Sequence, residues 1–133
     1  MGKKPIIIVG GEPNSIFLEI FFKSIKNNSY KSPLIIVVSK KLLQEQMIKL
    51  GFAFKINDID SKFKKFSKLD NKKINLINVD YDFKKCFEKI SSKSNKYIDE
   101  TFLIALKFMQ QNKFSKFING PISKKYFLKG KTL

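Results

Sequence analysis

The chain has 133 residues and a mass of 15.5 kDa, enough for one domain with a single hydrophobic core. Its longest apolar runs, at residues 5–9 and 34–38, are far shorter than the roughly 20 residues of a membrane span. One cysteine, Cys86, excludes an internal disulfide and a zinc site built on cysteines, and the lack of histidine excludes a histidine-ligated metal site or a histidine general base within this chain alone. These features predict a cytoplasmic domain.

The formal net charge is +16, and all 27 basic residues are lysines. A charge of this size is typical of proteins that bind polyanions, with nucleic acid as the first candidate. The composition argues against that interpretation, because sequence-specific readers of DNA rely on the two-pronged guanidinium group of arginine. The lysines are also spread along the whole chain. We interpret them as a solvated exterior and keep a lysine-rich nucleic-acid-binding domain as an alternative.

The first fifty residues predict strand, helix, strand and helix in that order. Residues 5–9 form a continuous β-branched run, typical of a strand that is buried on both faces, and residues 33–38 repeat the pattern. The first helix is predicted to begin after Pro13, and the second lies between an N-cap at Ser39 and a C-cap at Gly51. Two such units in succession indicate a right-handed arrangement with a parallel sheet.

The second half of the chain has one strong helical pattern, at residues 96–112. Ile98, Phe102, Ala105 and Met109 recur there at helical spacing and are predicted to face the core, flanked by further leucines at 103 and 106. The other predicted elements are a short strand at 52–56, a loop at 58–71, a strand at 74–79, a loop at 80–95, a strand at 114–118 and a short helix at 124–129. The predicted fold class is therefore α/β, with a parallel-rich sheet and flanking helices.

At the ends of two predicted strands, the sequence carries residues suited to binding a ligand. In open α/β sheets, ligands bind outside the carboxyl ends of the strands. The first exit reads Gly10-Gly11-Glu12-Pro13, which allows close backbone approach and places a carboxylate at the sheet edge. The second reads Asn119-Gly120-Pro121-Ile122-Ser123-Lys124, which sets a hydroxyl and a lysine at a turn, a plausible phosphate contact. Taken one at a time, each motif is equally compatible with a plain tight turn.

Together and in order, these motifs resemble the N-terminal portion of the 4-hydroxythreonine-4-phosphate dehydrogenase (PdxA) family of vitamin B6 biosynthesis. That family opens with Gly-(Asp/Glu)-Pro-Ala-Gly-Ile-Gly-Pro-Glu after an apolar strand, and later carries Thr-(Ala/Gly)-Pro-(Ile/Val)-x-Lys. Ser15, Phe17 and Leu18 depart from the first motif, and Asn119 replaces the threonine of the second. The matching positions are Gly11, Glu12, Pro13, Ile16 and Glu19 in the first motif, a tyrosine-led helix start at Tyr97-Ile98-Asp99-Glu100-Thr101, and Gly120, Pro121, Ile122 and Lys124 in the second.

The resemblance implies an NAD-dependent, metal-assisted oxidation of 4-phosphooxy-L-threonine followed by loss of carbon dioxide, on the pathway to pyridoxal phosphate. It further implies a homodimer with a two-domain α/β fold similar to that of the isocitrate and isopropylmalate dehydrogenases. The divalent metal would lie between subunits on three histidines. The family's Gly-His-Thr-Glu motif, these histidines and the nicotinamide-binding region lie beyond Leu133. Residues 1–133 are therefore expected to be a single α/β unit, the N-terminal portion of a longer enzyme, and inactive alone.

The resemblance assigns substrate-binding roles to two residues of this chain. Lys124 is expected to contact the phosphate or carboxylate of the substrate, and Glu12 is expected to hold the geometry of the cleft. No catalytic residue and no metal ligand is assigned within the chain. An alternative is a catalytically inactive short paralogue that acts as a binding module. The exact substrate within the family, the metal and the choice of NAD or NADP stay open.

Overall fold

The computed structural model describes residues 4–60 and 62–125. Five strands form one sheet, and every strand pair in it is parallel. The elements in chain order are β1 (Ile6–Val9), α1 (Phe17–Asn27), β2 (Leu34–Val38), α2 (Lys40–Leu50), β3 (Ile56–Asp58), β4 (Ile74–Asn78), α3 (Asn95–Asn112) and β5 (Phe117–Asn119), with short 3-10 turns at Phe66–Lys68 and Ser92–Ser94. The strand order is β3-β4-β2-β1-β5. The predicted α/β class with a parallel sheet is confirmed.

The centre of the sheet is buried on both faces, as its apolar runs predict. Strands β1 and β2 pair in register from Ile7 with Ile35 to Val9 with Val37, and all four side chains are fully buried. One face packs against α3, and the other packs against α1 and α2. Alternate residues of β1 and β2 point into the hydrophobic clusters on opposite faces of the sheet, which is why these strands are apolar at every position.

The two long predicted helices have the ends and faces that the sequence indicates. Ser39 caps α2 by accepting a hydrogen bond from the Leu42 N–H at 3.2 Å, and Gly51 ends it in the left-handed conformation at φ +79°. Helix α3 buries Ile98, Ala105 and Met109. None of the described helices is long and apolar enough to cross a membrane.

Two predicted strands are displaced along the chain, for the same physical reason. The prediction of a strand at 52–56 was wrong, because Phe52 and Phe54 pack their rings on Phe22, with ring centroids 5.3 and 6.2 Å apart, and pairing begins only at Ile56. The strand predicted at 114–118 begins later, at Phe117, because Phe114 packs edge-on against Phe66. Most of the helix predicted at 124–129 lies outside the described residues, and its first two residues, Lys124 and Lys125, are in a turn.

Candidate functional site

The carboxyl ends of all five strands lie at one edge of the sheet, because every strand runs in the same direction. The two motif-bearing loops leave from neighbouring strands at this edge, since β1 pairs with β5 from Ile7–Phe117 to Val9–Asn119. The sheet thereby brings together two segments that lie more than a hundred residues apart in the sequence. This edge is the candidate functional site.

The two loops are in direct contact. The backbone N–H of Glu12 donates to the carbonyl of Pro121 at 2.8 Å, and the N–H of Gly120 donates to the carbonyl of Val9 at 2.7 Å. A Cβ atom at Gly11 would lie 2.6 Å from the oxygen of Pro121, and Gly11 has a positive φ of 72°. Glycine is therefore required at position 11 both by its conformation and by the close approach of the second loop.

The Glu12 carboxylate is 4% exposed and is held by neutral donors. Its Oε1 accepts from the backbone N–H and side-chain Nδ2 of Asn14, at 3.2 and 3.4 Å. Its Oε2 accepts from the hydroxyl of Ser94 at 3.0 Å, immediately before α3. Asn14 in turn accepts from the N–H of Glu88 at 3.0 Å. Glu12 thus ties the exit of β1 to the loop after β4 and to the start of α3.

Tyr97 joins the same edge from α3. Its hydroxyl accepts a hydrogen bond from the backbone N–H of Ser39 at 2.8 Å, at the point where β2 ends. The ring of Tyr81 packs 4.6 Å from the ring of Tyr97. Burial raises the pKa of Tyr97 well above its usual value, and burial followed by the charges of Glu12 and Glu88 raises the pKa of Tyr81. Both phenols therefore stay protonated at neutral pH.

Because the pKa of Tyr97 is raised in the folded state, we expect the free energy of unfolding to fall at alkaline pH. The folded state holds the phenol proton more tightly than the unfolded chain, whose tyrosine pKa is about 10. This contribution to the free energy of unfolding is complete below about pH 10 and is lost as the pH rises further. We expect Tyr97→Phe to lower stability by about 1 kcal/mol at pH 8, through the lost hydrogen bond to Ser39, and to lessen the alkaline decline. Urea midpoints between pH 8 and 11 measure both effects.

Tyr30→Phe, at an exposed tyrosine, is the matched control for this experiment. It removes a phenol without touching Tyr97, so its alkaline decline is expected to follow that of the unaltered protein. If Tyr97→Phe and the unaltered protein lost stability equally between pH 10 and 11, Tyr97 would not be the group responsible.

Two cavities open at this edge on either side of Tyr81. One has a volume of about 490 Å³ and is lined by Ser39, Lys40, Lys41 and Asn78, and the other, of about 440 Å³, is lined by Lys93, Lys96 and Glu100. Tyr81, with its neighbours Asp80 and Asp82, lines both of them. The walls carry lysines and carboxylates together, a mixture suited to a ligand that bears both an anionic and a cationic group.

The two predicted site residues occupy different environments. Glu12 is buried at the loop contact, whereas Lys124 is exposed, in the loop whose Pro121 accepts the hydrogen bond from Glu12. The sequence did not single out Asn14, Ser94 or Tyr81 as parts of this site. A polar residue directly before a helix is the available signal for Ser94, but nothing local links it to Glu12, 82 residues away.

The chain does not by itself form the metal site that the resemblance implies. It contains no histidine. Within residues 4–60 and 62–125, no three cysteine, aspartate or glutamate side chains are grouped so as to hold a metal ion. The oxygens of the Glu12 carboxylate, where the two loops meet, are engaged by Asn14 and Ser94.

Comparison with known families identifies the chain. A family model described as "Pyridoxal phosphate biosynthetic protein PdxA" matches residues 29–132, well over half of the sequence. The chain belongs to the PdxA family. The matched range contains Tyr97–Thr101 and Asn119–Lys124 of the predicted motifs, whereas the Gly11–Glu19 motif precedes it. No curated protein matches the chain.

Solved PdxA structures share the fold over almost the whole chain. The 4-hydroxythreonine-4-phosphate dehydrogenase from Burkholderia phymatum is 19% identical, with a TM-score of 0.76 over 96% of this chain and 39% of its own. The Klebsiella pneumoniae enzyme is 16% identical, with a TM-score of 0.78 over 98% of this chain and 41% of its own. A putative 4-hydroxythreonine-4-phosphate dehydrogenase from Salmonella typhimurium is 14% identical, with a TM-score of 0.77 over 98% of this chain and 42% of its own. The chain therefore spans about 40% of the length of these PdxA relatives.

Proposed function

We propose that this chain supplies the N-terminal α/β unit of an NAD-dependent dehydrogenase that oxidises and decarboxylates 4-phosphooxy-L-threonine in the cytoplasm. The observation that supports the proposal is the contact between the two motif loops at the carboxyl ends of β1 and β5, through the hydrogen bond from Glu12 to Pro121. Two dehydrogenases with similar folds superpose on 96% and 98% of this chain. The family implies NAD, a divalent metal ion and a homodimer, with the metal ligands supplied from outside residues 1–133.

Within this proposal, Lys124 binds the phosphate or carboxylate of the substrate. It is exposed at the edge where the parallel strands end, and it follows a Gly-Pro turn that is fixed by backbone hydrogen bonds on both sides. An ammonium group there provides a charge-assisted contact to an anion. Glu12 has the complementary role of holding the two loops and the start of α3 in place through Asn14 and Ser94, without touching the substrate.

Titration of the chain with 4-phosphooxy-L-threonine tests the assignment of Lys124. We expect Lys124→Ala to weaken binding about tenfold, because one charge-assisted hydrogen bond is lost. Lys125→Ala is the matched control, since it removes the same charge from the neighbouring exposed position and is expected to bind like the unaltered chain. Equal weakening of substrate binding by both variants would mean that the loss of any lysine charge in this segment weakens binding, and that Lys124 has no specific contact. Binding by Lys124→Ala as tight as that of the unaltered chain would contradict the role proposed for Lys124.

We further propose that residues 1–133 are the N-terminal portion of a longer two-domain enzyme. The support is that the PdxA relatives are more than twice as long as the region they share with this chain. The gene product isolated from its native cells is expected to have an intact mass more than twice 15.5 kDa. A measured mass of 15.5 kDa would contradict this proposal, and catalysis by this polypeptide alone would have to be abandoned.

A further inference from the structure

A groove runs along α3, on the face of the sheet that this helix covers. One wall is a stripe of α3, the other is the segment that follows β3, and the floor reaches β4. The groove has a volume of about 680 Å³, and its lining includes Lys62, Lys64, Ile77, Ile104, Lys107 and Phe108. This volume is typical of a site for a small organic molecule. None of the lining residues belongs to the two cavities at the candidate site.

Aromatic packing holds the segment after β3 beside α3. The ring of Phe66 lies edge-on to that of Phe108, with centroids 5.8 Å apart, and Phe63 packs edge-on against Phe66 at 5.4 Å. Lys64 adds a hydrogen bond from its Nζ to the side-chain oxygen of Asn112 at 2.7 Å. Both walls are thereby anchored to the core, so the groove is formed in the absence of any ligand.

The charged groups that line the groove are all positive. Lys62 and Lys107 are exposed on opposite walls, and neither forms an ion pair with an acidic residue in the described parts of the chain. Gln111, which also lines the groove, is neutral. The nearest acid along the chain, Asp60, accepts from the backbone N–H of Lys62 at 2.8 Å. The two cavities at the candidate site differ in this respect, because aspartates line both of them.

Apolar side chains lie directly beside these ammonium groups. Ile104 is 37% exposed and precedes Lys107 by three residues and Phe108 by four, so the three side chains lie on one side of α3. Phe108 and Ile77 belong to the buried core and form the floor. A molecule in the groove would therefore contact apolar surface along its body and lysine at its end.

Apolar walls next to unpaired ammonium groups recognise a molecule that has an apolar body and an anionic group. A folded protein partner is disfavoured, because stable protein interfaces use about 20–30 residues a side and the groove offers far fewer. We propose that the groove binds a small organic anion. Its aromatic or acyl body lies on Ile77, Ile104 and Phe108, and its phosphate, sulfonate or carboxylate group binds Lys62 and Lys107. This inference does not depend on the proposed function.

Titration of the full chain with naphthyl phosphate, followed by the chemical shifts of the backbone amides, tests the site. We expect saturable binding with shifts concentrated at residues 62–64 and 104–111, and roughly tenfold tighter than inorganic phosphate because the ring is buried. Lys62→Ala and Lys107→Ala are each expected to weaken binding about fivefold, through loss of one exposed charged contact. Lys31→Ala, at an exposed lysine before β2, is the matched control and is expected to bind normally.

Ile104→Glu tests the apolar part of the site. It replaces an apolar contact by a carboxylate that repels the anion, and we expect it to weaken binding of naphthyl phosphate by roughly tenfold or more. Circular dichroism of this variant verifies that the fold is retained, as the exposure of Ile104 predicts.

Four results would overturn the proposal. Equal weakening by Lys31→Ala would mean that net charge alone attracts the probe. Inorganic phosphate that binds as tightly as naphthyl phosphate would leave the apolar walls without a role. Tighter binding of a glutamate-rich peptide at the same amides would make an acidic segment the occupant. Shifts confined to residues 119–124 would place the anion at the sheet edge beside Lys124, which would support the role proposed for that residue and refute the groove.

Discussion

Gly120→Ala is expected to lower the free energy of unfolding by about 3 kcal/mol, at the upper end of the usual cost of overpacking. A Cβ atom at this position would lie 2.2 Å from the carbonyl oxygen of Gly10 and 2.8 Å from the ring of Phe17. Neither loop has freedom to retreat, because the N–H of Gly120 is bonded to Val9 and the N–H of Gly10 is bonded to Val37. Relief of the clash must therefore separate the two loops of the candidate site.

Gly51→Ala is the control that isolates this steric effect. Gly51 has a φ of +79° with nothing within 4 Å of an added Cβ, so alanine there costs only the strain of the left-handed conformation, about 1 kcal/mol. Urea unfolding followed by circular dichroism compares the two variants under identical conditions. If Gly120→Ala were no more destabilising than Gly51→Ala, the result would contradict the close contact between the two loops.

The central part of the fold could be predicted from the sequence because its signals are local. Strands β1 and β2 are short apolar runs between turn residues, β4 is an apolar stretch interrupted by Asn75, and α2 has a capping serine and a terminal glycine. The position of β3 could not be predicted in this way. Phe52 and Phe54 have high strand propensity, but their packing partner is Phe22, thirty residues earlier in the chain.

The candidate site was predictable only in part, for a related reason. Parallel strands place Glu12 and Gly120 at the same edge of the sheet, which the sequence indicates. Their contact depends on β5 lying beside β1, an order that no local pattern specifies. The partners of the Glu12 carboxylate are set by the same topology, since Ser94 reaches it only because α3 crosses back over β1 and β2. The residue types of the two loops therefore predict their positions at the sheet edge, but the contacts between them depend on the tertiary structure.

Glu12→Ala is expected to destabilise the protein by about 2 kcal/mol, because the buried Ser94 hydroxyl keeps only its long 3.4 Å contact with the Ser91 carbonyl and the half-buried N–H of Asn14 loses its acceptor. Ser94 is 1% exposed, and its hydroxyl donates to Oε2, while the backbone N–H of Asn14 donates to Oε1. Each stranded donor costs about 1–3 kcal/mol in a buried setting. The loop after β4 is expected to loosen as well, because Asn14 also accepts from the N–H of Glu88. Urea unfolding and hydrogen exchange over residues 80–94 measure the two effects.

Glu12→Gln separates this hydrogen-bonding role from a requirement for negative charge. Glutamine keeps the side-chain length and one carbonyl oxygen for Asn14, and its amide can donate to the hydroxyl of Ser94, which is itself able to accept. We expect it to cost about 1 kcal/mol and to keep the protection of residues 80–94. If glutamine destabilised the protein as much as alanine, the carboxylate charge would matter at this position in its own right. The role of Glu12 would then extend beyond holding the two loops and the start of α3 together.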